Sequence, residues 1–219
     1  MSVYYGKQQR ALQAQFGTEK MVERIEQLAS HTTFNEDAKG FIEHSEMFFL
    51  TTINDNGQPT VSYKGGDVGF VKVLDSNTLI FPSFDGNGMF LSMGNIKGNA
   101  QIGMLFISFE MPHRIRVQGT ASISQDANLL AHYKEADFVV TVKVEELWQN
   151  CPRYIPKFDK VRNSRYVPRA DCETPLAEWK RVDLLQDVLP PADLAKAQAK
   201  GTIDIMEWVG KIQSGADDA

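Results

Sequence analysis

The hydrophobic period of this chain changes once, near Met47, and that change constrains the fold more than any other feature. Before it the sequence reads as helix; from Met47 to Gln149 it reads as short β-rich runs cut by turns. "MFFLTTIN" is rich in β-branched and aromatic residues. "DNGQ" follows, where Asn56-Gly57 supplies the positive φ of a tight hairpin. "TVSYKGG" is the return strand. "VGFVKVL", "DSN" and "TLIFPS" read as strand, turn and strand. "AQIGMLFISFE" and "HRIRVQGTASIS" pair as two long strands, and "DFVVTVKVEELWQ" is the last. The glycine-punctuated "DGNGMFLSMGNIKGN" is a short helix with Met89, Phe90, Met93 and Ile96 on its buried side, and "QDANLLAHYK" is another. About six strands in a meander must close on themselves to bury their apolar faces. That predicts a mainly β (α+β) chain built on a small antiparallel barrel.

Helical signals flank the barrel at both ends. "EKMVERIEQLA" places Met21, Val22, Ile25 and Leu28 on one helical stripe, with Thr18 at the N-cap and Glu19 behind it. "NEDAKGFIEHS" is a second short helix. Beyond Asn150 the pattern is irregular, "CPRYIPKFDKVRNSRYVPRADCETP". Helix returns at "PLAEWKRVDLLQDVL", "PADLAKAQAK" and "IDIMEWVGKI". The expected organisation is a helical extension over 1–45, a barrel domain over 46–150, and a C-terminal extension over 151–219. The last packs on the barrel or on a partner subunit.

A chain of 219 residues is long enough to bury a sizeable core. Its net charge of -5 and pI near 5.4 argue against a general nucleic-acid binder or an anchor on anionic membranes. A small anionic ligand needs only a local basic cluster. No apolar run approaches the length of a membrane span and no apolar h-region follows Met1, so a soluble cytoplasmic protein is the expectation. Cys151 and Cys172 make no disulfide framework. His31, His44, His113 and His132 show no metal-ligand spacing, so no metal site is expected. Cys151 becomes a reactive thiol only if Arg153 or Lys157 reaches it.

Three stretches carry polar groups in patterns that suit a ligand. In "SYKGG", Ser62 and Lys64 share one strand face and Tyr63 takes the other; if Val61 and Tyr63 pack inward, Ser62 and Lys64 line a groove or the surface. In "FPSFDGNGMFLSMGN", glycines before a helix let backbone N–H groups approach an anion, with Asn87 and Ser92 as added donors. In "HRIRVQG", Arg114 and Arg116 lie two apart on one strand face and repel unless something anionic lies between them. Singly, each reads better as a bulge, a cap or a solvated face than as a site.

Taken together and in this order, the stretch from "MFFLTTINDNGQPTVSYKGG" through "FPSFDGNGMFLSMGNI" to "HRIRVQGTASI" resembles the pyridoxamine 5′-phosphate oxidase-like, FMN-binding split-barrel proteins. The nearest branch is that of the flavin-nucleotide-binding proteins. "YYGKQQRALQAQFGTEKMVERI" and "CPRYIPK" are similar to that branch as well. The resemblance implies a six-stranded antiparallel split β-barrel, a homodimer, and FMN at the dimer interface. It places the phosphate near Ser62, Tyr63 and Lys64 and the helix start carrying Ser83, Asn87, Gly88 and Ser92. The strand of Arg114 and Arg116 would pass the flavin ring. An arginine near N1 and C2=O favours the anionic reduced flavin. Where the oxidases carry an arginine and an Arg-Lys pair around the phosphate, this sequence has Ser62 and Gly88-Met89, which leaves Lys64, Arg116 or Lys97 to supply the charge. The C-terminal arginine and histidine pattern for substrate is not found. The implied function is therefore an FMN-dependent oxidoreductase acting between an electron donor and an unidentified small substrate. The alternatives are a non-catalytic flavin or haem carrier, and third, a pyridoxamine 5′-phosphate oxidase proper.

Overall fold

The structure is a computed structural model that describes residues 5–219. The chain forms two compact units, the first ending at Asp159 and the second spanning Lys160–Ala219. Among the described residues no helix is long and apolar enough to cross a membrane.

The first unit opens with helices α1 (Lys7–Phe16) and α2 (Glu19–Ala29), a two-residue strand β1 (Ser30–His31) and helix α3 (Glu36–His44). Asn35 caps α3 by accepting the Ala38 N–H at 2.8 Å, and Ala38 and Ile42 turn into the core. Thr18 stands at the N-cap of α2 but its side chain makes no capping hydrogen bond.

The sheet follows, with β2 (Met47–Ile53), β3 (Pro59–Gly65), β4 (Lys72–Asp75) and β5 (Thr78–Phe84). Helix α4 (Leu91–Gly98) leads to β6 (Gln101–Ser108) and β7 (His113–Ser124). A single turn, α5 (Ala127–Leu130), precedes the long β8 (Ala136–Asn150). All pairs are antiparallel, in the order β3-β2-β6-β7-β8-β5-β4, with β1 added on β8. The sheet thus has eight strands where the sequence suggests about six. β1 is too short to carry a period and β4 has only four residues.

The sheet is curled into a barrel, and one contact demonstrates it. β2 and β5 stand four strands apart, about 19 Å in a flat sheet at ~4.8 Å per strand. Yet the rings of Phe48 and Phe81 meet edge to face at 4.9 Å. Phe48 also packs on Phe106 and Phe70, at 5.0 and 5.8 Å. Around these rings the inward positions alternate as period two demands: Phe48 and Leu50 on β2, Ile102, Met104 and Phe106 on β6, Ile115 and Val117 on β7, Val140, Val142 and Val144 on β8.

Two local devices shape the barrel. The β7–β8 register slips between Gln118 and Gly119, so β8 gains a residue there. A Cβ at Gly119 would overlap the backbone carbonyl of Lys143. The second device is Gly65-Gly66, beside Lys64. A Cβ at Gly65 would lie 2.6 Å from the Tyr63 hydroxyl, and one at Gly66 would overlap the Phe70 ring. The paired glycines make room for the protein's own aromatic rings.

Glu146 sits on the outer face of β8 beside this bulge and is 8% exposed. Burial, followed by the charges of Glu145 and Glu26, raises its pKa above the ordinary 4.5. A raised carboxyl pKa favours folding below about pH 4.5, and that contribution is lost as pH rises through the raised value. Glu146→Gln is therefore expected to raise Tm by about 2–4 °C at pH 7, the shift that 1 kcal/mol makes in a chain of this size, and to change little at pH 4. Thermal denaturation of both proteins at the two pH values measures it; a variant less stable at pH 7 would contradict the sign.

The second unit carries helices α6 (Pro191–Lys200) and α7 (Ile205–Ser214). Within "PLAEWKRVDLLQDVL" it has two short 3-10 turns, Glu178–Arg181 and Asp183–Leu185, where the sequence suggests a helix. The turns are stapled by ions. The buried Glu178 carboxylate accepts from Arg181 Nη1 and Lys211 Nζ, both at 2.7 Å, and Lys180 pairs with Asp193 at 2.8 Å.

Candidate functional site

β3 is an edge strand, and its alternation decides the site. Thr60, Ser62 and Lys64 lie on the inner, half-covered face; Val61 and Tyr63 lie on the outer face and are exposed. This reverses the inward packing considered for Val61 and Tyr63. The reason is geometric: on a curled sheet with open edges an edge strand overhangs the interior, so its inward face meets the helix that crosses it.

That helix is α4, and polar contacts hold it. Ser92 and Ser62 share a hydrogen bond at 3.0 Å. Asn95 Nδ2 donates to the hydroxyls of Thr52 and Thr60 at 3.0 and 3.2 Å, and these hydroxyls are 3.1 Å apart. Met93 and Ile96 anchor the helix in the core, while Met89 and Phe90, expected on the same buried side, are exposed. They precede the helix, so its period does not apply to them. Phe90 holds a left-handed conformation, φ 47°, with its ring 6.1 Å from Phe138. Such a conformation costs a non-glycine residue on the order of 1 kcal/mol and sets the angle at which the chain enters α4.

A cavity of about 290 Å³ opens where β3, the end of β5 and the start of α4 converge. Ser62, Lys64, Ser83, Asn87, Gly88 and Ser92 all line it. Tyr63 does not, because it sits on the other face of β3. Arg114 and Arg116 also lie elsewhere, on the outer face of β7. Arg116 is exposed, with its guanidinium 6.0 Å from the Trp148 ring, and the Nε of Arg114 is buried with no hydrogen-bond partner. The structure thus brings six of the nine singled-out residues together in one chain and leaves three on the opposite sheet face.

Lys64 dominates the electrostatics of the cavity. Burial lowers its pKa from the ordinary 10.5, and no described side chain pairs with its ammonium. Asp85 and Asp137 also line the cavity, but both are exposed and their field is screened by water. The half-buried cation is screened less, so the inner wall favours an anion. Asp85 was visible beside the glycines in "FDGNG". Asp137 was not: only the pairing of β5 with β8, Ser83 to Phe138 and Phe84 to Ala136, carries it there.

A second cavity, about 380 Å³, lies at the far end of β8 and is lined by His31, His113, Trp148, Asn150 and Cys151 among others. The His113 ring meets Phe41 edge to face at 4.4 Å, and burial lowers its pKa. Among the described residues no cluster of three or more histidine, cysteine or acidic side chains is placed to hold a metal.

The family model described as pyridoxamine 5′-phosphate oxidase matches residues 34–151, more than half of the chain. The chain belongs to that family. Its curled antiparallel sheet with flanking helices is the family's split barrel. No curated protein matches it. Among solved structures it is similar to Group A Streptococcus HupZ, at 21% identity over 53% of this chain and 93% of that one, TM-score 0.45. It is also similar to an FMN-binding protein from Syntrophomonas wolfei, at 13% identity over 64% and 97%, TM-score 0.42. A third is General Stress Protein 26 from Bacillus anthracis, at 14% identity over 50% and 87%, TM-score 0.39. Likenesses this distant carry no functional weight.

Proposed function

We propose that this protein binds FMN and acts as a flavin-dependent oxidoreductase, with the flavin held between two copies of the chain. The observation that carries the reading is Lys64: a half-buried ammonium that no described side chain pairs with, facing a cavity whose other wall is the start of a helix. Such a site fits a phosphate monoester. Lys64 would neutralise it, Ser62, Ser83 and Ser92 would offer hydroxyl donors, and the first free N–H groups of α4 would complete the cradle. Asn87 holds the approach loop through its bond from the Met89 N–H at 3.1 Å.

At about 290 Å³ the cavity is at the lower limit for ligand pockets, enough for the phosphate end of the cofactor but not for its fused rings as well. The rings would then lie outside it, against a second copy. The exposed outer face around Val61 and Tyr63 supports such pairing, and Arg114 and Arg116 stand on that same face. In this arrangement an arginine of one copy would meet the pyrimidine edge of the flavin bound by the other. Bound FMN would supply hydride and electron transfer. The protein's part is to orient it, keep water from it and set its charge environment. The visible spectrum of the purified protein tests the reading. Flavin absorbance, with FMN identified by mass in the extract, is expected, and so is bleaching by a reduced nicotinamide cofactor. A colourless protein that takes up no FMN would refute it, and flavin inert to every donor would leave a carrier.

A further inference from the structure

The outer face of β7 and β8 is a ladder of facing pairs. Gln118 stands opposite Glu146, Arg116 opposite Trp148 and Arg114 opposite Asn150, each in register on the two antiparallel strands. The middle pair is made: the Arg116 guanidinium lies 6.0 Å from the centre of the Trp148 ring, within cation–π range. The last pair is not made. Among the described residues, the buried Nε of Arg114 has no acceptor and the buried Oδ1 of Asn150 has no donor. No other buried side-chain nitrogen or oxygen of the first unit's described residues is in that position.

A buried polar group without a partner costs free energy, and native folds leave few of them. Here one orphan is a donor, the other is an acceptor, and the two stand directly opposite each other. Opposed residues of antiparallel strands hold their Cβ atoms about 5 Å apart. From that spacing a change of rotamer brings the Arg114 Nε–H onto the Asn150 carbonyl. A guanidinium held through Nε keeps both Nη groups for a ligand, as a planar fork. Trp148 and Asn150 also line the cavity of about 380 Å³ at this end of β8, so open space borders the pair.

We propose that Asn150 is a positioning residue: its carbonyl holds Arg114 through Nε–H and so aims the Nη fork at the pyrimidine edge of the flavin carried by a second copy. This rests on the two-copy flavin reading above. It adds which of the two arginines serves the flavin and what orients it, since Arg116 is already engaged by Trp148. An acceptor in front of the fork selects the rotamer in which the pair is closed.

A double-mutant cycle on the full chain tests whether the two side chains meet. Asn150→Asp places a carboxylate opposite Arg114. It should raise Tm by about 2–4 °C when Arg114 is present, and lower Tm in the Arg114→Ala background, where the carboxylate stands alone. Asn150→Leu removes an unpaired carbonyl, so it should leave Tm unchanged or higher. The midpoint potential of bound FMN reads the aiming. Asn150→Leu should weaken the reduced flavin about tenfold relative to the oxidised form, a fall of about 30 mV for a two-electron couple. It should cause no further fall in the Arg114→Ala background. Bound riboflavin should show the same fall, because the effect is at the rings and not at the phosphate. A protein that takes up no flavin overturns the flavin reading and this proposal together. With flavin bound, a cycle without coupling, an unchanged potential, or equal falls with and without Arg114 overturns the role of Asn150 alone.

Discussion

Gly119→Ala is expected to destabilise the first unit by about 3 kcal/mol, at the top of the range for overpacking, and so to lower Tm by roughly 6–12 °C. The added methyl would overlap the carbonyl oxygen of Lys143, which is backbone and has no rotamer to yield. Gly119 closes the slip in register between β7 and β8, where β8 carries one residue more than its partner. Relief would require the two longest strands to separate, and both bury core side chains on either side of this point. Differential scanning calorimetry measures the loss. Gly103→Ala on neighbouring β6 is the control, since its new methyl would meet only Thr51 at 3.8 Å. Equal stability of Gly119→Ala and wild type would mean that the bulge is misplaced.

The largest effect on ligand binding is expected from Lys64→Ala. A hydrogen bond to a charged group contributes about 1.5–3 kcal/mol, so FMN affinity should fall roughly 10- to 100-fold. Riboflavin, which has the rings without the phosphate, should bind both proteins alike. Quenching of flavin fluorescence reads both constants. If riboflavin and FMN weaken together, Lys64 acts through the shape of the wall rather than through the phosphate. If neither weakens, the phosphate lies elsewhere. Stability should not fall with the substitution, because a half-buried ammonium with no partner among the described residues contributes desolvation cost and no bond.

Much of the barrel was legible because its signals are local. Asn56-Gly57 marks the β2–β3 turn, and the Asn54 side chain accepts the N–H groups of Asn56 and Gln58 at 3.0 and 2.9 Å to lock it. The alternation of β6, β7 and β8 follows from period two. Elsewhere the local pattern has two solutions. Val61 and Tyr63 are the apolar members of β3, and a strand read by itself buries its apolar side. On an edge strand crossed by a polar helix face, Ser62 and Lys64 are covered instead. Met89 and Phe90 extend the apolar pattern of α4 backwards, but the left-handed residue before the helix breaks it.

The candidate site divides along the same line. Ser62, Lys64, Asn87 and Ser92 were visible as polar groups beside glycines, and family resemblance joined them. Asn95, Thr52 and Thr60 were not, because a cluster of hydroxyl and amide groups on separate elements leaves no periodic trace. The sequence by itself determined the strands, their turns and the family, since these depend on residue type and short spacing. Only the tertiary structure decided which face of β3 looks inward, that Gly65-Gly66 clears space for two aromatic rings, and that Arg114 lies across the sheet from Lys64. Those are matters of which strand stands at an edge and which elements cross it, and the strand order and curl of the sheet fix both.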